Sequence, residues 1–409
     1  MSTTSDDVAK NNALEPLRDT TELGALLRVP REQQLARGYG LTLEEIAQQP
    51  VVWPATASRM VQRAHDLTAC LAGVEAVVVS GSGSSQFASE CIAPALQRRL
   101  GLPVTAVAAG AILTDPEICL PPSDASLLVS VARSGTSPES RAAVDWLLET
   151  RPNVRHLFVT CNKDGALATC CTGVEGVTSV VLPDETNDES LVMTSSFTSL
   201  ILAGLGLGAL DALDAYEARA RALSQAAAGV LSQRSDALAP VARSGFGSAL
   251  YLGSGGRLGA AREAALKMLE MNAGKIPTMA ESFLGLRHGP MSAVHDDTLV
   301  VAFLSSEPVA RAYEMDLLRE LRRKSIGGRR VIVGAGVPSE VETGPDDVVV
   351  DVGTEAGTSL GDEDLSLIDV LVSQLLAFFR CLDSGFRPDS PSDDGIITRV
   401  VSSFEIHRR

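Results

Sequence analysis

The sequence predicts an α/β protein of two tandem domains, each a doubly wound parallel sheet flanked by helices, behind a helical N-terminal leader. Three observations lead there. An apolar run that ends in a Ser/Gly turn and opens into a long helical stretch occurs twice, as AVVVSGSGSSQFASECIAPALQRRLG from Ala76 and as SALYLGSGGRLGAAREAALKMLEMNAG from Ser248. Gly81 and Gly253 of those turns lie 172 residues apart, and partner segments follow in the same order: SLLVSVARSG at Ser126 against DTLVVAFLSSE at Asp297, then RHLFVTCNKDG at Arg155 against RRVIVGAG at Arg329. Inside each copy, short aliphatic and β-branched runs alternate with amphipathic stretches, the rhythm of βαβ units around a sheet buried on both faces.

The repeat is about 170 residues long, a whole domain and not a solenoid unit. Residues 1–40 are polar and read as an arm, and TLEEIAQQPVVWPATASRMVQRAHDLTACL reads as helix, with Thr42 and Glu45 spaced as a capping box. Together they make a leader over residues 1–72. Residues 73–235 hold the first domain, closing on an Ala/Leu-rich helical connection that begins near Ser195, and residues 236–385 hold the second. Residues 386–409 form a tail, the turn cluster RPDSPSDDG followed by the strand-like ITRVVSSFEI.

Composition removes several classes. With 35 Lys+Arg against 51 Asp+Glu among 409 residues, the formal charge of −16 argues against a nucleic-acid partner, which calls for a basic face. Apolar residues at 45% and charged residues at 21% fit a globular chain. No apolar stretch reaches about 18 residues and no basic segment precedes one at the N-terminus, so neither a membrane partner nor a secretory signal is expected. Seven cysteines without a C-x-x-C pair fit a reducing compartment, hence the cytoplasm. Five histidines without ligand spacing predict no metal, and no cofactor is expected.

Two hydroxyl-rich loops stand at predicted strand ends. Arg133-Ser134-Gly135-Thr136-Ser137-Pro138 precedes the helical SRAAVDWLLE, placing Ser137 as N-cap and Pro138 at N1. Free N–H groups at a helix start, ringed by hydroxyls, suit a phosphate dianion, and plain capping is the alternative. Gly81-Ser82-Gly83-Ser84-Ser85 ends the first strand at the same carboxyl edge, where open α/β sheets bind ligands. A dinucleotide fingerprint fails, because Gln86 takes the place of the third glycine and no acidic residue lies near 20 positions on.

In AAREAALKMLEMNAG, Glu263, Lys267 and Glu270 share one helix face. They read either as a solvated salt-bridge stripe or as a group that points a proton-abstracting carboxylate at a ligand. His288 lies in the Gly/Pro-flanked turn of ESFLGLRHGPMSAV, where a histidine is suited to acid/base work near neutrality. The Cys170-Cys171 pair reads as core packing.

These residues resemble the double sugar-isomerase (SIS) domain proteins, specifically the tagatose-6-phosphate ketose/aldose isomerase group, also described as galactosamine-6-phosphate deaminase/isomerases. The segments CNKDGALA, ETND with MTSSF, EAALKMLEMNAGK and LGLRHGP carry the resemblance, which runs over most of the chain. It implies an enzyme acting on a phosphorylated sugar, with Ser82, Ser84, Ser85, Arg133, Ser134, Gly135, Thr136 and Ser137 around the substrate. By similarity to the isomerase half of glucosamine-6-phosphate synthase, Lys267 and Glu270 match its catalytic pair and His288 its ring-opening histidine. That histidine comes from a neighbouring subunit, so a homodimer or larger homo-oligomer with shared sites is implied. The resemblance implies conversion of D-galactosamine 6-phosphate to D-tagatose 6-phosphate and ammonia through a cis-enolamine. Simple aldose/ketose isomerisation, glucosamine-6-phosphate deamination and a non-catalytic phosphosugar regulator stay open at this point.

Overall fold

The computed structural model describes residues 21–171, 173–341, 343–353, 360–392, 395–401 and 404–407. The chain forms two compact units that interleave in sequence: one gathers residues 1–51, 189–194 and 221–394, the other residues 52–188, 195–220 and 395–409. Each contains one five-stranded parallel sheet, as the repeat predicts.

The first sheet consists of β1 (Ala76–Gly81), β2 (Val104–Ala108), β3 (Ser126–Ala132), β4 (Arg155–Thr160) and β5 (Val177–Val181), in spatial order β2-β1-β3-β4-β5. The second consists of β6 (Ser248–Leu252), β7 (Thr278–Glu281), β8 (Thr298–Phe303), β9 (Arg329–Gly334) and β10 (Val348–Asp351), in order β10-β9-β8-β6-β7. Read from its own first strand, each sheet has the order 2-1-3-4-5, the doubly wound pattern whose switch point lies between strands 1 and 3. The central strands β3 and β8 are buried along their whole length, which explains why they read as continuous apolar runs instead of alternating ones.

The two turn glycines are required by packing. A Cβ on Gly81 would come within 2.5 Å of the Ser85 backbone, and one on Gly253 within 2.3 Å of the Arg257 carbonyl. In both copies the following helix starts too close to its strand for any side chain.

Three local expectations need correction. Thr42 and Glu45 form no capping box: the helix Gly40–Ala47 has Tyr39 as N-cap, placing both residues inside it. Thr42 bonds Asp389 through its N–H (2.8 Å) and its hydroxyl (2.9 Å), while Glu45 accepts from the N–H groups of Glu189 (2.6 Å) and Ser190 (2.9 Å). Long-range partners outcompete the local motif. The arm reading fails beyond residue 20, since Glu22–Arg28 and Arg31–Arg37 are helical, and residues 1–20 lie outside the described residues. The tail forms no strand among its described residues. Arg399 instead bonds the Asp188 carbonyl (2.9 Å from Nε) and Asn187 Oδ1 (3.0 Å), so the tail is held by side chain and not by a ladder.

The helix Asp362–Asp383 is long and apolar enough to cross a membrane, yet 89% of its apolar window is buried. It packs there against the helices Arg257–Met271 and Ser235–Ala242 as core. All seven cysteines are free thiols, and Cys171 lies in the core of the first sheet, as expected.

His156 on β4 is fully buried, edge-on to Phe158, and neither ring nitrogen has a hydrogen-bond partner among the described residues. Burial lowers its pKa from 6.5 to about 4. The native state keeps it neutral while the unfolded chain protonates it, so the stability involved is fully present above pH 6.5 and lost as pH falls towards 4. The effect is on the order of 3 kcal/mol. His156→Leu should flatten the loss of stability between those pH values in denaturant titrations, and an unchanged pH slope would remove His156 as its source.

Candidate active site

In the unit of the first sheet, β1 and β3 are hydrogen-bonded neighbours, so the loops that leave their carboxyl ends emerge side by side at the switch point. Ser82 Oγ lies 3.3 Å from Ser140 Oγ, joining the first loop to the helix that the second loop opens. Ser84 and Ser85 are buried in the first turn of the helix Ser84–Leu100. Ser137 is the N-cap and Pro138 the N1 residue of the helix Pro138–Thr150, as the sequence predicts. The Ser137 hydroxyl makes no cap bond, however, so the first-turn N–H groups lack the internal acceptor that a cap supplies. Plain capping therefore does not account for the hydroxyls.

The loop is stiff. Ser134 Oγ accepts from Thr136 N–H (3.3 Å) and from Thr136 Oγ1 (3.0 Å), and Gly135 takes φ +62°, a conformation open to glycine. Asn162 Nδ2 donates to the Ser134 carbonyl at 3.0 Å and Leu167 N–H to the Gly135 carbonyl at 3.0 Å. A Cβ on Gly165 would sit 2.3 Å from the Ser134 carbonyl oxygen. The segment CNKDGALA is thus the brace of the Ser134 loop, a function its sequence carried no direct sign of.

The other family segment in this unit has an equally local cause. Asp188, fully buried, accepts from Ser195 Oγ (2.5 Å), Ser196 N–H (2.8 Å) and Ser196 Oγ (2.5 Å), and so caps the helix Ser195–Leu207. Arg133 is buried, and its Nη2 donates to the Arg399 carbonyl at 2.5 Å, which ties the tail to the loop. Arg133 was expected among the groups around the substrate; this guanidinium nitrogen is committed within the protein.

In the unit of the second sheet, the helix Arg257–Met271 carries the ion group. Lys267 Nζ lies 2.5 Å from Glu270 Oε2 and 3.2 Å from Glu263 Oε1. The side chains of Lys267 and Glu263 are 1% and 0% exposed and that of Glu270 is 23% exposed, so the solvated-stripe reading is excluded. Burial pulls the Lys267 pKa down, but the charges of Glu263 and then Glu270 more than reverse this and leave it raised. A fixed cation thus holds one buried carboxylate and one that reaches solvent.

His288 ends the 3₁₀ turn Gly285–His288 and is exposed. Its neighbour Arg287 anchors the loop, with Nε 2.8 Å from Glu320 Oε2, and hydrogen bonds from Lys324 and Arg287 lower the Glu320 pKa well below the usual carboxylate range. Among the described residues, no hydrogen bond or ion pair joins His288 to Lys267 or Glu270. No cluster of metal-ligating side chains occurs among the described residues either.

No family model matches the chain. It is 36% identical over 337 residues to the D-galactosamine-6-phosphate deaminase AgaS of Escherichia coli, covering 81% of this chain and 85% of that protein. The structure of a tagatose-6-phosphate ketose/aldose isomerase from Escherichia coli superposes with a TM-score of 0.80 at 32% identity, over 90% of this chain and 97% of that one. The C-terminal domain of glucosamine-fructose-6-phosphate aminotransferase from Francisella tularensis shares the fold, with a TM-score of 0.73 at 18% identity over 86% of this chain and 98% of that one.

Proposed function

The chain belongs to the D-galactosamine-6-phosphate deaminase AgaS family, and from that membership we propose that it converts D-galactosamine 6-phosphate to D-tagatose 6-phosphate and ammonia. It is an enzyme of the sugar-phosphate deaminase/isomerase class. One observation carries the mechanistic reading: Glu270 is the partly exposed carboxylate of an otherwise buried ion group.

The sugar phosphate is assigned to Ser134, Thr136, Ser137 and the first-turn N–H groups of their helix, with Ser82 beside them, in a loop held stiff by Asn162. His288 opens the pyranose ring by moving the proton of the anomeric hydroxyl to the ring oxygen as the bond from carbon 1 to that oxygen breaks. Glu270 then takes the proton from carbon 2, giving the cis-enolamine, and returns it to carbon 1, leaving an imine at carbon 2. Water adds to the imine, and ammonia leaves as the ketone forms. Lys267 is assigned a positioning role, since its buried ammonium acts through Glu270 and not on a sugar oxygen. His288 is exposed and has no hydrogen bond or ion pair among the described residues, which supports a homo-oligomer in which a second copy supplies or completes its surroundings. Seven free thiols fit a reducing compartment, and we place the enzyme in the cytoplasm.

The test is to incubate the purified protein with galactosamine 6-phosphate, glucosamine 6-phosphate and tagatose 6-phosphate and to measure ammonia and ketose. Ammonia from galactosamine 6-phosphate is expected. Isomerisation of tagatose 6-phosphate with no ammonia from either amino sugar would overturn the deaminase reading. Ser134→Ala should raise KM about tenfold with kcat little changed, because it removes binding shared by ground and transition states. An unchanged KM would take the phosphate away from this loop.

A further inference from the structure

We propose that the second repeat carries a self-occupied oxyanion site, in which the carboxylate of Asp362 sits where a phosphate or sulfate would otherwise bind. This goes beyond the assigned chemistry, which places the substrate phosphate at the first repeat. That each chain offers one phosphosugar loop and not two rests on that assignment; the occupied site does not.

The two loops correspond in order, with one residue fewer between serine and proline in the second. Ser134 and Ser305 lie 171 residues apart, each just past its sheet's central strand. Each serine hydroxyl accepts from the N–H two residues on, Thr136 at 3.3 Å and Glu307 at 3.0 Å, and each loop enters a helix through a proline at N1, Pro138 and Pro308. In the second loop, Ser306 N–H (2.6 Å), Ser306 Oγ (2.8 Å) and Ser305 Oγ all donate to the Asp362 carboxylate. A backbone N–H and two hydroxyls converging on one anion from a helix-start loop are what a bound oxyanion receives.

The surroundings complete the picture. The N–H of Ser305 donates to Glu314 Oε2 at 2.7 Å. Arg257, fully buried, grips Asp369 through two bonds of 2.7 and 2.6 Å and stands 3.7 Å from Asp362 Oδ1. Burial pushes the Asp362 pKa up, but bonds from Ser305 and Ser306 and the charge of Arg257 outweigh it and hold the carboxylate ionised. In the first repeat, the helix after the fifth strand opens on Ser195 and Ser196 instead of an acid, and no carboxylate among the described residues bonds Ser134 or Thr136. One loop keeps its donors for a ligand, and the other has given them to an aspartate of its own chain.

The test compares the full chain with Asp362→Ala and Asp362→Asn in sodium sulfate and in sodium chloride of equal ionic strength. Asp362→Ala should lower Tm in chloride, and sulfate should recover most of the loss, a gain about twice or more that of the unsubstituted chain. Equilibrium dialysis with labelled sulfate should count one more bound sulfate per chain in Asp362→Ala. If that variant folds only with sulfate present, the proposal is equally supported. Asp362→Asn, which fills the same space, should show no added sulfate. Equal counts in Asp362→Ala and the unsubstituted chain, no advantage of sulfate over chloride, or an equal gain in Asp362→Asn would each overturn it. Neither readout uses catalysis, so a failed deaminase assay leaves this inference standing, and its failure leaves the deaminase reading standing.

Discussion

Glu270→Gln is expected to bind the sugar phosphate with near-normal affinity while turnover falls by about 10²–10⁴-fold, the range for losing a positioned general base. The amide keeps the shape of the side chain and an oxygen for Lys267, so the helix face should survive. What disappears is the ability to carry a proton from carbon 2 to carbon 1. A solvent-exchange experiment separates the steps: deuterium incorporation at carbon 1 of the product should vanish with turnover. Retained activity would take Glu270 out of the mechanism, whereas lost binding with lost turnover would mark it as structural.

Lys267→Met should have the largest effect on stability. Methionine fills the methylene space but leaves Glu263 with 0% exposure and its cation gone, and removing one partner of a buried ion group costs about 3–5 kcal/mol. Chemical denaturation should show this as a lower midpoint with an unchanged slope. The double variant Lys267→Met, Glu263→Gln should recover a large part, because the stranded charge is then neutral. If the double variant is no more stable than the single one, the cost comes from packing and not from the charge.

The repeat, the succession of strand-like segments along each copy and the glycine turns were legible because their causes are local or periodic. Gly81 and Gly253 must be glycine where a helix starts against the strand it leaves, and Pro138 takes the N1 position after its N-cap Ser137. The Thr42/Glu45 motif misled for the opposite reason. A capping box is a local bond, and in the folded chain Asp389 and the N–H groups of Glu189 and Ser190 offer partners from remote segments. The strand-like tail failed similarly: an apolar pattern gives a strand only where a neighbouring edge receives it, and Arg399 anchors this tail by its guanidinium.

The candidate site divides along the same line. A twice-repeated α/β architecture, the hydroxyl loops at strand ends and the alignment of Glu263, Lys267 and Glu270 on one helix face all follow from local pattern. Contacts between distant segments are what bury Lys267 and Glu263 while Glu270 reaches solvent, brace the Ser134 loop with Asn162 and Gly165, and bring Asp362 to the matching loop of the second copy. Periodicity tells which side chains share a face, but the strength of a charge depends on what excludes water from it, and those groups come from segments far away in the chain.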